Sequence, residues 1–476
     1  AKGKDPRTGA LGLLFNSPHL RLLPPMWLAL DNGGGYIKSG LIHSSANPSL
    51  TPNCTARPRR SLTVVLVGRE CEPDAARVQQ LGFSPGELVY ERPMERGYLT
   101  NVDCETEVWA KVLEEVGGAG ALAGILVTVP PFMPQELASA MDVMMREHLK
   151  LPNVLRVEPA ELAALNARST MGCGSFCLVV DCGFSFTHVT PVFDGNSYAP
   201  GTTRLDVGGK LLTNYLKELV SYGQVNVQDE TFVIDTMKQE VCYVSLDFEH
   251  DIAQLTKLKQ QSVLRRSQRM PAEERAALER KFTCRYVLPD YGKVPKGYTL
   301  DPDTPFEEVA GLEKQTIELD VERFMVPEVL FTPQILGIEQ AGLVEVIQHA
   351  VQKCPEETRK LLRQNVILIG GCSLFPNFLK RLQQDLGPDY NVRQPQDPIC
   401  ASWQGASLAL DRAAQKKARA TVQEQTQVQM LAQTQAKTEA KAKKHSRAQA
   451  HEMTKMKAKA KVRAQVLAQL RGLAQT

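Results

Sequence analysis

Val179-Val180-Asp181-Cys182-Gly183-Phe184-Ser185-Phe186-Thr187-His188 is a short apolar strand that runs into Asp-x-Gly and turns back as a second strand. The segment Trp27-Leu28-Ala29-Leu30-Asp31-Asn32-Gly33-Gly34-Gly35 does the same thing 150 residues earlier. Glycine lets backbone N–H groups come close to phosphate oxygens, and a carboxylate at a strand end can hold the waters of a bound Mg²⁺. Two such hairpins in one chain predict two phosphate-cradling loops facing each other across a cleft. The second, however, carries bulky Phe184 where such a loop wants something small or acidic.

The chain around these hairpins has 476 residues, enough for a sizeable core and two to four domains. A hydrophobic share of 43% and a charged share of 23% are those of a soluble globular protein. The net charge of +3 conceals an asymmetry. Residues 411–476 hold 15 Lys/Arg against 4 Asp/Glu, a net of +11, so the body carries −8. A basic tail of this kind suits an anionic partner or is a solvated appendage. The 11 cysteines lack metal-ligand spacing, and even Cys173, Cys177 and Cys182 do not match a zinc knuckle. Buried thiols in a reducing, intracellular compartment are expected. No apolar run reaches the ~18–20 residues that would span a bilayer.

Residues 1–25 read as a disordered leader rich in Pro, Gly and basic residues. Strands are expected at 26–30, 36–42, 61–68, 124–129, 286–289 and 364–369, the last followed by Gly370-Gly371. Helices are expected at 102–116, 135–149, 161–166, 207–220, 229–243, 342–353 and 378–385. Residues 51–60 read as a proline-punctuated basic loop, and 71–84 as less regular. The charged segment 251–281 reads as an inserted surface helix or a loop. From Ala413 onward the Ala/Gln/Lys composition fits a long solvated helix or disorder. Alternating strands and helices make the chain α/β, with ligands at the carboxyl ends of the strands.

Six segments then appear in a familiar order: DNGGGYIKSG (31–40), DCGFSFTHVTPV (181–192), TRLDVGGKLLTNYLKELV (203–220), KQEVCYVSLDF (238–248), ERFMVPEVLFTPQILGIEQAGL (322–343) and IGGCSLFPNF (369–378). Together they resemble the actin superfamily over most of residues 26–410, and within it the nuclear actin-related branch. The resemblance implies an actin-like two-lobed fold, duplicated ribonuclease H-like domains around a nucleotide-type cleft. It places Asp31, Gly33, Gly34 and Lys38 in the first phosphate loop and Asp181 and Gly183 in the second. Lys238, Gly370 and Gly371 would line the adenosine and ribose. Asp31 and Asp181 would hold Mg²⁺ through water. Each position has a plainer reading, since Gly33–Gly35 also suits a hairpin turn and Gly370-Gly371 a strand-to-helix turn.

Two departures bear on activity. Actin-like ATPases place a carboxylate and then Gly where Phe184 and Ser185 stand. The glutamine that orients the attacking water aligns near Pro159, and no Gln lies between Val154 and Asp181. Phosphoryl transfer depends on positioning and electrostatics, so losing both parts predicts little or no hydrolysis and no catalytic residues. ATP or ADP with Mg²⁺ then enters as a structural ligand, or binds weakly or not at all. His188 reads as a hydrogen-bonded structural histidine rather than a catalytic one.

The resemblance implies a scaffold subunit of a nuclear SWR-type chromatin-remodelling complex that exchanges a variant histone into nucleosomes. Its partners would be a zinc-HIT protein, the helicase-like remodeller ATPase, and nucleosomal DNA and histones through the complex. The alternatives are an active ATPase of the actin, sugar-kinase or heat-shock chaperone class, and a cytoskeletal actin-related protein. Filament formation is not expected, because residues 50–90 diverge from the family's longitudinal contact loop and the tail after Leu410 replaces its usual C-terminus.

Overall fold

The computed structural model describes residues 26–412, apart from 43, 45–46, 62, 73–74, 84, 262–269, 291–295 and 301–315, and beyond them 427, 430, 438 and 445–464. The expected leader at 1–25 lies outside the described residues. The chain separates into two compact units, Ala1–Ala409 and Leu410–Thr476.

Two sheets organise the first unit, and they repeat one plan. In the first, β1 (Trp27–Asn32) pairs antiparallel with β2 (Tyr36–Leu41), which pairs with β3 (Ser49–Pro52). On its other side β1 runs parallel to β4 (Gly124–Thr128), and β4 to β5 (Val154–Val157). In the second, β6 (Phe176–Cys182) pairs antiparallel with β7 (Thr187–Phe193), flanked by β8 (Asn196–Ser197) and β9 (Thr203–Leu205). There β6 runs parallel to β10 (Val366–Ile369), and β10 to β11 (Val392–Arg393). The matching orders β5-β4-β1-β2-β3 and β11-β10-β6-β7-β8 are the expected duplication.

The apolar runs explain the central strands. Leu28 to Leu30 and Leu178 to Val180 are buried without alternation, as strands covered on both faces must be. In the first lobe α1 (Val102–Glu115) supplies one cover. Asn101 caps it by accepting from Cys104 N at 3.0 Å, and Val108, Trp109, Val112 and Leu113 form its buried face. The helix α2 (Pro159–Met171) serves both sheets. Its Leu162 joins Ala29 and Leu126 of the first, while Ala163 and Ala167 pack with Val179 and Ile367 of the second. Small side chains let the backbones close up, and a Cβ at Gly405 would lie 2.7 Å from the Leu162 carbonyl carbon.

Several local expectations need correction. Residues 51–60 are not a loop: Thr55–Pro58 is a strand paired with Leu66–Val67 and Leu88–Glu91, over a small core of Cys54, Ala56, Leu66, Cys71, Val78 and Leu88. Prolines at strand ends are compatible with a small, edge-rich sheet, which composition alone did not suggest. The strand expected over 61–68 shrinks to Leu66–Val67, and Ala76–Leu81 is helical. The helix expected at 161–166 runs the full length of α2. Segment 251–281, expected as a helix or a loop, takes in most of Phe248–Gln260 and of Ala272–Phe282, two helices packed through Leu255, Leu258, Phe282 and Phe324. All 11 cysteines are free and buried. Among the described residues no helix is long and apolar enough to cross a membrane.

In the second unit the described residues are helical, with a continuous run over 445–464.

Candidate functional site

The hairpin plan puts Asp31 and Asp181 at equivalent strand ends, with Lys38 opposite Asp31 and His188 opposite Asp181. The parallel neighbour β10 brings Ile369 beside Asp181, so Gly370 follows at the same edge. As a result Asp31, Gly33, Gly34, Lys38, Asp181, Gly183, Lys238, Gly370 and Gly371 all line one cavity of about 390 Å³. That volume is within the range of small-molecule sites. Gly370 is a forced glycine: its φ is +91°, and a Cβ there would lie 2.7 Å from Asp181 Oδ1.

The charged residues are largely committed to one another. Asp31 accepts from Thr128 Oγ1 at 2.9 Å and pairs with Lys38 Nζ at 3.1 Å, which engages both its oxygens. Burial works against the Lys38 charge, but Asp31 and then Asp181 outweigh it and raise its pKa. Burial, then the Asp31 charge, pushes Asp181 up to about 6 against the opposing pull of Lys38. Lys238 Nζ donates to Gly209 O at 3.1 Å and Thr213 Oγ1 at 2.6 Å, and contacts Asp235 Oδ1 at 2.7 Å. Its ammonium is therefore used internally although it lines the cavity. Burial raises the Asp235 carboxyl, yet Lys238 and Thr213 hold it below the usual range.

These commitments test the expected Mg²⁺. With both Asp31 oxygens engaged and Asp235 paired with Lys238, Asp181 is the one uncommitted carboxylate among the described residues lining the cavity. Among the described residues no group of three or more His, Cys, Asp and Glu is placed to hold a metal ion. That set does not fit direct coordination of Mg²⁺ by protein ligands, whereas the expected contact was through water.

The end of the cavity expected to take phosphate is where the second hairpin departs most. The Phe184 ring packs on the first glycine turn, so that a Cβ at Gly35 would lie 2.9 Å from Phe184 Cγ. The Arg92 guanidinium lies over the same ring, 4.7 Å from its centroid. Arg92 Nη1 also reaches the carbonyls of Gly34, Gly35 and Asn53 at 3.3–3.4 Å. Thus a cation–π stack joins the two loops where a catalytic loop would present a carboxylate.

A second contact crosses beside it. The hairpin Met94–Glu95 and Tyr98–Leu99 turns through Arg96 and Gly97, both at positive φ. Phe186 packs on Gly97, whose added Cβ would lie 2.7 Å from Phe186 Cζ. Arg204 donates from Nη2 to Arg96 O at 3.1 Å and lies over the rings of Phe186 at 4.6 Å and Tyr98 at 5.4 Å. Lys210 pairs with Glu95 at 3.2 Å.

His188 corrects an expectation. Its ring sits 4.1 Å from that of Phe186, and its Nε2 is buried with no hydrogen-bond partner among the described residues. Burial, then the Arg204 charge, pushes it down to about 3, which leaves a neutral imidazole facing the cavity.

Three contributors escaped the sequence reading: Arg92, Phe186 with its Gly97–Arg204 contact, and Glu105. Glu105, fully buried in α1, accepts from Asn32 Nδ2 at 2.6 Å and Trp109 Nε1 at 3.1 Å through Oε1. Asn53 Nδ2 donates to Gly33 O at 3.1 Å, so this network also braces the first loop. Glu105 Oε2 and Asn53 Oδ1 are buried acceptors without partners among the described residues. The one available signal was a carboxylate on the apolar face of a helical pattern.

Comparison with known proteins agrees with this geometry. Residues 26–424 match the Actin family. The chain is 35% identical over 421 residues to actin-related protein 6 of Oryza sativa subsp. indica, covering 81% of this chain and 92% of that protein. It is 33% identical over 407 residues to actin-like protein ARP6 of Yarrowia lipolytica, covering 83% and 94%. For actin-related protein 6 of Drosophila melanogaster the identity is 33% over 395 residues, covering 79% and 91%.

Proposed function

Because the chain belongs to the actin family, we propose that it works as a non-catalytic scaffold built on the actin fold. The observation that carries this reading is the Phe184–Arg92 stack. It occupies the junction of the two loops, where hydrolysis needs a carboxylate and an oriented water. The neutral His188 and the absence of any Gln between Val154 and Asp181 point the same way.

The scaffold would belong to a nuclear SWR-type chromatin-remodelling complex exchanging a variant histone into nucleosomes. Its proposed partners are a zinc-HIT protein and the helicase-like remodeller ATPase, with nucleosomal DNA and histones reached through the complex. The family resemblance supports this assignment, and the interlobe contacts of Arg92 and Arg204 suit a rigid body better than a cycling enzyme. The test is mass spectrometry of what co-purifies with the tagged protein from nuclear extract. Recovery of both partners at near-stoichiometric levels is expected. Recovery of cytoskeletal proteins alone would overturn the assignment.

A second reading has one specific observation in its favour. The cavity persists behind the stack, lined by Asp181, Gly370, Gly371 and a buried imidazole nitrogen without a partner. It would hold a nucleotide as a structural ligand that stabilises the fold by mass action. A rise in melting temperature with added ATP, without hydrolysis, would support it.

A further inference from the structure

We propose that the helix over 445–464 binds duplex nucleic acid directly, seated in the major groove with a row of cations against each backbone. This does not rest on the scaffold reading, since it concerns the second unit alone.

The helix is exposed along its whole length. It carries Arg447, Lys455, Lys457, Lys459, Lys461 and Arg463, with Glu452 its only acidic residue. Spacing turns this charge into a pattern. Lys455, Lys459 and Arg463 follow one another at four-residue intervals and form one row. Lys457 and Lys461 form a second row, displaced by about 200° at roughly 100° per residue. Between the rows lies a neutral strip of Met453, Met456, Ala460 and Ala464.

That arrangement matches a groove with anionic walls. A helix is about 10–12 Å across with its side chains, and the major groove is about 12 Å wide. A seated helix therefore meets phosphates on both flanks and base edges on one face. The two rows supply the flanks, and the neutral strip presents nothing that base edges would exclude.

Other anionic partners fit less well. An interfacial membrane helix buries bulky aromatic and Leu side chains, and residues 445–464 have no Trp, Phe or Leu. Single-stranded nucleic acid is held by stacking on aromatic rings, and residues 411–476 contain none.

The experiment uses the full chain and a mixed-sequence 20-base-pair DNA duplex, followed by fluorescence anisotropy at 50–200 mM salt. Five phosphate contacts predict a log–log salt slope of about −4.5 and roughly a 10²–10³-fold loss of affinity across that range. Replacing Lys457 and Lys461 by Gln should flatten the slope by about 2. The decisive variant keeps the charge and moves it: Lys457→Ala and Lys461→Ala combined with Met456→Lys and Ala460→Lys. Weaker binding by about tenfold is expected, since the second row is gone although the charge is the same. Equal binding by this variant would overturn the seated helix. So would tighter binding to phosphatidylserine vesicles than to the duplex, or duplex binding unaffected by replacing all five cations with Gln.

Discussion

Glu105 shows most directly what burial does to a single residue here. Burial, partly offset by Asn32, Asn53 and Trp109, pushes its carboxyl up to about 7 from an ordinary 4.5. The folded state thus holds a proton that the unfolded chain has released. The stabilisation is full below about pH 4.5 and is lost as the pH rises through about 7, on the order of 3 kcal/mol in all. Protonated, Glu105 becomes a donor in a network where its Oε2 and Asn53 Oδ1 have no partner among the described residues. Glu105→Gln keeps an acceptor for Asn32 and Trp109 and supplies a permanent donor. It should raise the melting temperature at pH 8, match the parent at pH 5 and flatten the profile between them; thermal melts across that range check this. Phe184→Ala should remove the Arg92 stack and the packing on Gly34 and Gly35, costing about 2 kcal/mol in a denaturant melt. No gain of hydrolysis is expected, because the water-orienting Gln would still be missing.

At the scale of elements, the Met94–Leu99 turn depends on one missing side chain. Gly97 has φ +78° and lies against the Phe186 ring. Gly97→Val should therefore destabilise the protein by about 3 kcal/mol and expose the turn to limited proteolysis, read by the cleavage site. Arg204→Ala should produce the same cleavage with a smaller change in melting temperature, since it removes two hydrogen bonds, to Arg96 O and Asp206 Oδ1, and two ring contacts. These elements also show what the sequence could reveal. The hairpins, the parallel strands and the amphipathic helices were legible because uninterrupted apolar runs and helical spacing report burial directly. Thr55–Pro58 was not, because its prolines and arginines mimic a loop and its partners lie up to 36 residues away at Glu91. Arg92 and Phe186 were equally silent. Their roles come from what the fold sets opposite them, and neither has a local pattern.

The first unit repeats one sheet plan twice and joins the copies through α2, so both hairpins aim at the same cavity. This convergence was legible from two Asp-Gly turns in register with further motifs. The internal engagement of Lys238 and of both Asp31 oxygens was not, since those bonds depend on Asp235, Thr213 and Thr128 brought in from elsewhere. With the phosphate end closed by Phe184 and Arg92, added Mg-ATP should shift the melting temperature only slightly, the mark of weak binding. The most direct test is single-turnover hydrolysis of ATP by the purified full chain with Mg²⁺. The scaffold proposal predicts phosphate release no faster than the buffer blank, unchanged by Asp181→Ala. Hydrolysis at actin-like rates that Asp181→Ala abolishes would contradict it.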